Sequence, residues 1–341
     1  MHVTFRVPAK INIVLSIGPL RPDGFHDLAT VFHAVSLYDN VTARWGDEEP
    51  RNDDDPRSED EAGGDAAPGD RDHVSLTLDG PYSGRLPADG TNLAVRAVHT
   101  LAAAAGVPAR AHLRVTKAIP VAAGLAGGSA DAAGALLACN ALWGLGWTVE
   151  RLAGLAATLG SDVPFSLVGG TAVGTGRGEK LDPLVVPGAL HWVLAVADGE
   201  LSTPAVYRRL DELREAGAAA GPPASGTLAL GSLAAGTGPD TVSVDASVLG
   251  ALAAGDASEV GRLMRNDMQA AAVDLRPSLA QTLSAGREAG ALGGIVSGSG
   301  PTCVFLAQDA AHSRMIVQAL EDSGTCRATE VVVGPVTPSQ S

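Results

Sequence analysis

The chain is poor in cysteine, aromatic rings, lysine and long apolar runs. Its three cysteines, Cys139, Cys303 and Cys326, lack metal-ligand spacing and are odd in number, so neither a zinc site nor a paired disulfide framework is expected. No stretch of 18 apolar residues free of charges and helix breakers occurs, which leaves no candidate membrane-spanning helix. The opening residues, Met1 to Arg6, show no basic segment followed by an apolar run, so no secretory signal is read there. Positive charge is short as well. Lys and Arg number 24 against 38 Asp and Glu, a formal net charge of -14 that argues against a general nucleic-acid or membrane binder. A reduced, cytoplasmic protein is the expectation.

What is present describes a globular enzyme-sized chain. At 341 residues, 45% hydrophobic and 18% charged, it has the length for two domains or one large one. The negative charge is concentrated: residues 47–72 hold 12 acids and 3 bases. That polar, Pro- and Gly-rich stretch, taken as 46–72, reads as a disordered insert between two strands. Residues 217–242 are low-complexity Ala, Gly, Pro and Ser, and read as a flexible linker.

The most informative stretch is Pro120, Val121, Ala122, Ala123, Gly124, Leu125, Ala126, Gly127, Gly128, Ser129 and Ala130. An alternating strand pattern precedes it over 111–117, and an Ala-rich helical run follows it. Free backbone N–H groups and the positive end of a helix dipole at such a junction receive anions. Gly124, Gly127 and Gly128 can take positive φ and approach a phosphate closely. Ser129 suits an N-cap, or its hydroxyl can face a phosphate or a magnesium ion. The spacing is neither that of a P-loop nor of a dinucleotide fingerprint. A plain Gly/Ala turn that packs a helix on a sheet stays open.

Other positions carry paired readings. Val3, Phe5 and Val7, then Ile11, Ile13, Leu15 and Ile17, alternate as two strands with a kink at Pro8. Lys10 and Asn12 fall on the face opposite the isoleucines, and lysine occurs elsewhere only at Lys117 and Lys180. Lys10 is a functional cation or a solvated strand residue. Phe25 and His26 follow the Pro22-Asp23-Gly24 turn, placed to stack on a base and bond its edge, or to plug the core. Asp162, between Gly160 and Val163-Pro164-Phe165, is a candidate base or an N-cap. Tyr207, on a helix opened by Ser202-Thr203-Pro204, is a second stacking candidate or ordinary core. Gly298, Ser299 and Gly300 form a second close-approach loop or a tight hairpin turn. Helices are expected over 92–105, 149–159, 248–264, 277–289 and 310–320.

Together Pro8 to Asn12, the 120–133 glycine loop and Ser297 to Thr302 resemble the three ordered motifs of the GHMP small-molecule kinases. Asp23 to Leu28, Gly160 to Phe165 and Ser202 to Tyr207 are most similar to the members that act on a cytidine-diphosphate-linked methylerythritol. The resemblance runs from about Val3 to Val333, outside the insert and the linker. It implies an α+β fold of two parts: an N-terminal domain like ribosomal protein S5 domain 2 over 1–176, and a ferredoxin-like C-terminal domain over 177–335. It implies transfer of the ATP γ-phosphoryl group, with Mg2+, to the substrate's 2-hydroxyl. Asp162 would be the base and Lys10 would keep it ionised. Residues 120–130 would wrap the triphosphate, Phe25 and Tyr207 would sandwich the cytosine, and His26 would bond its edge. Asn12 and the Gly298–Gly300 loop would orient the substrate. Ala122, Ala123 and Ala126 replace glycines common in the family, Asp131 stands where asparagine is frequent, and Phe25 where tyrosine is. The rivals are a homoserine- or mevalonate-type GHMP kinase and a non-catalytic nucleotide-binding relative. Monomer and homodimer are equally compatible with the sequence.

Overall fold

A computed structural model of the chain describes residues 1–45, 73–84, 86–217 and 242–341. The acidic insert expected over 46–72, and all of the 217–242 linker but its end residues, lie outside the described residues.

Two sheets organise the molecule. The first is built on a long antiparallel pair, β1 (His2–Leu20) and β2 (His26–Arg44). Parallel strands β3 (His73–Asp79) and β4 (Arg110–Thr116) extend it, joined through helix α1 (Leu93–Ala105). Asn92 caps α1 by accepting the Ala94 N–H, and Gly106 ends it in the left-handed region at φ 67°. Helices α2 (Gly127–Leu142), α3 (Val149–Leu159) and α4 (Val163–Val168) follow. Then β5 (Thr171–Gly176) pairs with the first half of β2, and β6 (Lys180–Pro183) pairs with β5.

The second sheet starts at β7 (Leu190–Val196), followed by α5 (Thr203–Glu215), α6 (Ala246–Ala254) and α7 (Ala257–Leu263). A two-residue strand, β8 (Arg265–Asn266), returns to pair in parallel with β1. After α8 (Gln269–Leu275) and α9 (Ser278–Glu288) come β9 (Gly293–Val296) and β10 (Cys303–Ala307). Helix α10 (Ala310–Ser323), β11 (Ala328–Gly334) and β12 (Ser339–Gln340) close the chain, with β12 back on β1. The antiparallel order β11-β7-β10-β9 is the ferredoxin-like arrangement. Both sheets therefore fit the expected α+β class. The first sheet also draws β6, β8 and β12 from beyond residue 176.

Three local expectations are corrected. Pro8 does not divide two strands: β1 is continuous, and a register shift between Pro8 and Ala9 absorbs the missing N–H. The helix expected over 248–264 is two helices, because Gly255 takes φ 68° and Asp256 caps the next start by accepting the Glu259 N–H. Helix α8 was not expected at all.

Residues 7–18 of β1 are buried on both faces, since helices cover one side and the second half of the chain the other. That is why Lys10 and Asn12, on the polar side of the alternation, are also buried.

Candidate active site

A cavity of about 1090 Å³ opens between the first sheet, the glycine loop, helix α5 and the Gly298 loop. Lys10, Asn12, Phe25, His26, Asp162, Tyr207, Gly298 and Ser299 all line it. So do Ala122, Ala123, Gly124, Ala126, Gly127, Gly128 and Ser129 of the glycine loop. Residues spread over most of the sequence thus meet at one place. Five expected positions do not face it. Leu125 and Ala130 are buried in the core, where the Leu125 carbonyl accepts the Lys10 backbone N–H at 3.1 Å. Pro120 and Val121 line a separate 480 Å³ cavity beyond the loop, and the Gly300 N–H turns inward to the Ser297 carbonyl.

The Lys10 ammonium lies 3.5 Å from Asp162 Oδ2 and donates to Asn12 Oδ1 at 2.8 Å. Asn12 in turn donates to Thr30 Oγ1, whose hydroxyl donates to the Val14 carbonyl at 2.6 Å. This chain of bonds fixes the two side chains on one strand without using the carboxylate. Asp162 occupies the N-cap position of α4, but its side chain makes no capping bond. Its carboxylate, 33% exposed, turns to Lys10 and the cavity instead. A buried cation beside a carboxylate one-third exposed suits a group that must accept a proton in reach of substrate.

The glycine loop meets the second glycine loop directly. Ser297 Oγ donates to the Gly124 carbonyl at 3.1 Å, and a Cβ on Gly124 would stand 2.1 Å from the Ser297 carbonyl oxygen. No residue but glycine fits there. The backbone differs from expectation in detail. Gly127 and Gly128 are helical, and the positive φ values fall on Ala122 (49°), Gly124 (77°) and Ala126 (58°). Ser129 is not the N-cap. Ala126 holds that position, so Ser129 sits in the first turn with its side chain on the cavity wall. A Cβ on Gly128 would meet nothing within 4 Å, so the first turn of α2 presents open backbone to the cavity.

The aromatic end is arranged differently from the expected sandwich. His26 stacks on Tyr207, with centroids 5.0 Å apart and planes 18° from parallel. Its Nδ1 lies 2.9 Å from the Gly18 carbonyl and its Nε2 3.3 Å from Asp211 Oδ2, so both ring nitrogens already have protein partners. Phe25 is half exposed under the Arg177 guanidinium, 5.1 Å from the ring centre. Burial, with Asp162 and Asp211 nearby, pushes the Tyr207 phenol up to about 12, so it stays protonated.

Sequence reasoning missed Arg177, Arg208 and Asp211 on the cavity wall. Arginine and aspartate are frequent in this chain, and no spacing marked these three. Asp131 is buried and bonded to Lys117, away from the cavity.

Residues 92–170 match the GHMP kinases N terminal domain, and residues 248–325 the GHMP kinases C terminal domain. A Salinispora arenicola protein named 4-diphosphocytidyl-2-C-methyl-D-erythritol kinase is 50% identical, over 97% of this chain and 91% of its own. A Mycobacterium tuberculosis protein of the same name is 46% identical, over 98% and 91%. A crystal structure of 4-(cytidine 5'-diphospho)-2C-methyl-D-erythritol kinase superposes with a TM-score of 0.70 at 29% identity, covering 97% of this chain and 99% of that one. A homoserine kinase from Cytophaga hutchinsonii, at TM-score 0.69 and 19% identity, shares the fold.

Proposed function

The chain belongs to the 4-diphosphocytidyl-2-C-methyl-D-erythritol kinases of the GHMP superfamily, and from that premise we infer how its cavity performs the transfer. The reaction moves the γ-phosphoryl group of ATP to the 2-hydroxyl of the cytidine-bearing alcohol, giving the 2-phosphate and ADP. It serves the non-mevalonate route to isopentenyl diphosphate. The observation that carries the assignment of roles is the Lys10–Asp162 pair, 3.5 Å apart, on the same cavity wall as the open first turn of α2.

Asp162 takes the proton of the attacking hydroxyl. Lys10, held by Asn12, supplies positive charge beside the oxygens of the group in flight. Phosphoryl transfer leaves little covalent work to the protein, so a fixed cation and a fixed acceptor account for most of what it must provide. The backbone of 122–129 receives the triphosphate. Magnesium takes most of its ligands from phosphates and water. The Ser129 hydroxyl is the group at this loop that suits one remaining position, and no cluster of three His, Cys, Asp or Glu that could hold a metal occurs among the described residues. When bound, the ion offsets phosphate charge. Phe25 and the Tyr207–His26 stack offer ring faces for the cytosine, and Arg177 and Arg208 are the arginines lining the cavity that can meet its diphosphate. The enzyme acts in the cytoplasm on a small molecule.

The test is ATP consumption by the purified chain with magnesium, offered the cytidine-bearing alcohol, the same alcohol without cytidine, homoserine and mevalonate. Turnover with the first alone is expected. Asp162→Asn should still bind ATP but lose roughly a thousandfold or more in kcat, the scale of a removed general base. Near-normal turnover in that variant would take the base role away from Asp162.

A further inference from the structure

Residues 265–269, Arg-Asn-Asp-Met-Gln, carry no role in the reaction described above, yet each one either bonds β1 or the Val296–Gly298 segment or lines the cavity. Arg265 donates to Ser16 Oγ at 2.8 Å, and Asp267 Oδ2 accepts the Ile17 N–H at 2.8 Å. Met268 lines the cavity, and Gln269 Oε1 accepts the Val296 N–H at 3.1 Å. Asn266 is the centre of this segment. It lies buried opposite Leu15 in the short β8–β1 pairing. Its Nδ2 donates to two carbonyls, Val296 and Gly298, at 2.7 Å each, while its Oδ1 accepts the Met268 N–H at 2.8 Å.

The Asn266 amide therefore uses both its hydrogens and its oxygen, and among short side chains only an amide offers that set. The carbonyls it holds flank the turn at Gly298, which packs on the reacting groups. A Cβ on Gly298 would stand 3.3 Å from Asn12 Oδ1 and 3.5 Å from Lys10 Nζ and the Gly124 carbonyl. One residue thus joins two parts of the site: its backbone belongs to the short strand paired with β1, which carries Lys10, and its side chain holds the loop that packs against Lys10 and the phosphate loop.

We propose that Asn266 is a positioning residue for the transfer: it locks the Gly298 turn against Lys10, Asn12 and Gly124, and so sets the spacing between Lys10 and the bound phosphates. This rests on the kinase reading above. In Asn266→Asp the two carbonyls face a carboxylate in place of two donors, and in Asn266→Ala they face nothing. The turn then relaxes away from Lys10.

The experiment is calorimetric titration of Mg·ATP into wild type, Asn266→Asp and Asn266→Ala, followed by kcat and KM with the cytidine-bearing alcohol. The titration stoichiometry counts folded sites, so kcat is expressed per ATP-binding site. A residue that only supports the fold would lower the number of sites and leave kcat per site unchanged. A positioning residue should lower kcat per site roughly 100-fold, the effect of a displacement of about 1 Å, with the ATP dissociation constant held within about fivefold. If the aspartate variant does not fold, the alanine variant carries the same expectation. Variants within about threefold of wild type in kcat per site would overturn the positioning role while the kinase reading stands. A wild type that binds ATP but turns over no alcohol would remove both.

Discussion

Lys117 lies 1% exposed between two carboxylates, and the arrangement explains how the phosphate loop is anchored. Its ammonium contacts Asp39 Oδ2 and, at 2.8 Å, Asp131 Oδ2. The other Asp39 oxygen accepts the N–H groups of Ala118 and Ile119 at 2.7 and 2.9 Å, just before the loop begins. Burial alone pulls a lysine down, but the two carboxylates outweigh it and hold Lys117 above the ordinary lysine value. Burial pushes the Asp131 carboxyl up, against the pull of Lys117. Removing the cation leaves both acids buried without a counter-charge, so Lys117→Met should cost about 3–5 kcal/mol in unfolding free energy, read from urea midpoints. A loss under about 1 kcal/mol would mean that water or neighbours replace the ammonium. This cluster could not be read from the chain, because Lys117 and Asp39 are 78 residues apart and no pattern links them. Lys10 and Asp162 drew notice locally, as a rare lysine near a proline and a carboxylate between a glycine and an apolar run, but each kept a second reading there, and the family resemblance gave them their expected roles.

At the scale of elements, regular structure followed its local signals and the site followed its exceptions. The helix expected over 92–105 and the strand expected over 111–117 are written in adjacent residues, and the structure keeps both as α1 and β4. The glycine loop was legible as a loop, but not in its dihedral angles. Which residue takes positive φ depends on what packs above it, here the Ser297 carbonyl over Gly124. Ala126 occupies the left-handed region at φ 58°, where a Cβ is disfavoured by about 1–2 kcal/mol. Glycine relieves that cost in the folded state and adds chain entropy to the unfolded one, about 0.4–1 kcal/mol. The balance favours Ala126→Gly by several tenths of a kcal/mol, a rise in Tm of about 0.5–1 °C for a chain of 341 residues. Calorimetry of the two proteins checks it, and a lower Tm would show that the alanine methyl contributes packing that outweighs the strain.

At the scale of the molecule, the two sheets meet where β2 passes β7 and β11, and His33 stands at that junction. Its ring lies 5.6 Å from the Trp192 ring of β7, and its Nδ1 is 2.8 Å from Thr171 Oγ1. A Cβ on Gly334, at the end of β11, would fall 2.3 Å from His33 Nε2, so this seam closes only around a glycine. Full burial lowers the imidazole from its ordinary 6.5 to about 3, with the nearby Gly334 backbone opposing the shift. The sign of the linkage follows from that direction. Below pH 6.5 the unfolded chain binds a proton that the folded chain refuses until about pH 3, so folding stability from this site is complete above 6.5 and is lost as pH falls through that window. The slope is about 1.4 kcal/mol per pH unit, or roughly 2–3 kcal/mol between pH 6.5 and 4.5. His33→Leu removes the titration. It should be less stable than wild type at pH 7, because Thr171 loses a buried partner, yet its stability should fall less steeply on acidification. Urea unfolding of both proteins at pH 7, 5.5 and 4.5 reads the difference in slope, with the surface carboxylates common to both cancelling. Parallel losses in the two proteins would mean that the seam opens to water before His33 is protonated, and that the sheets separate ahead of global unfolding.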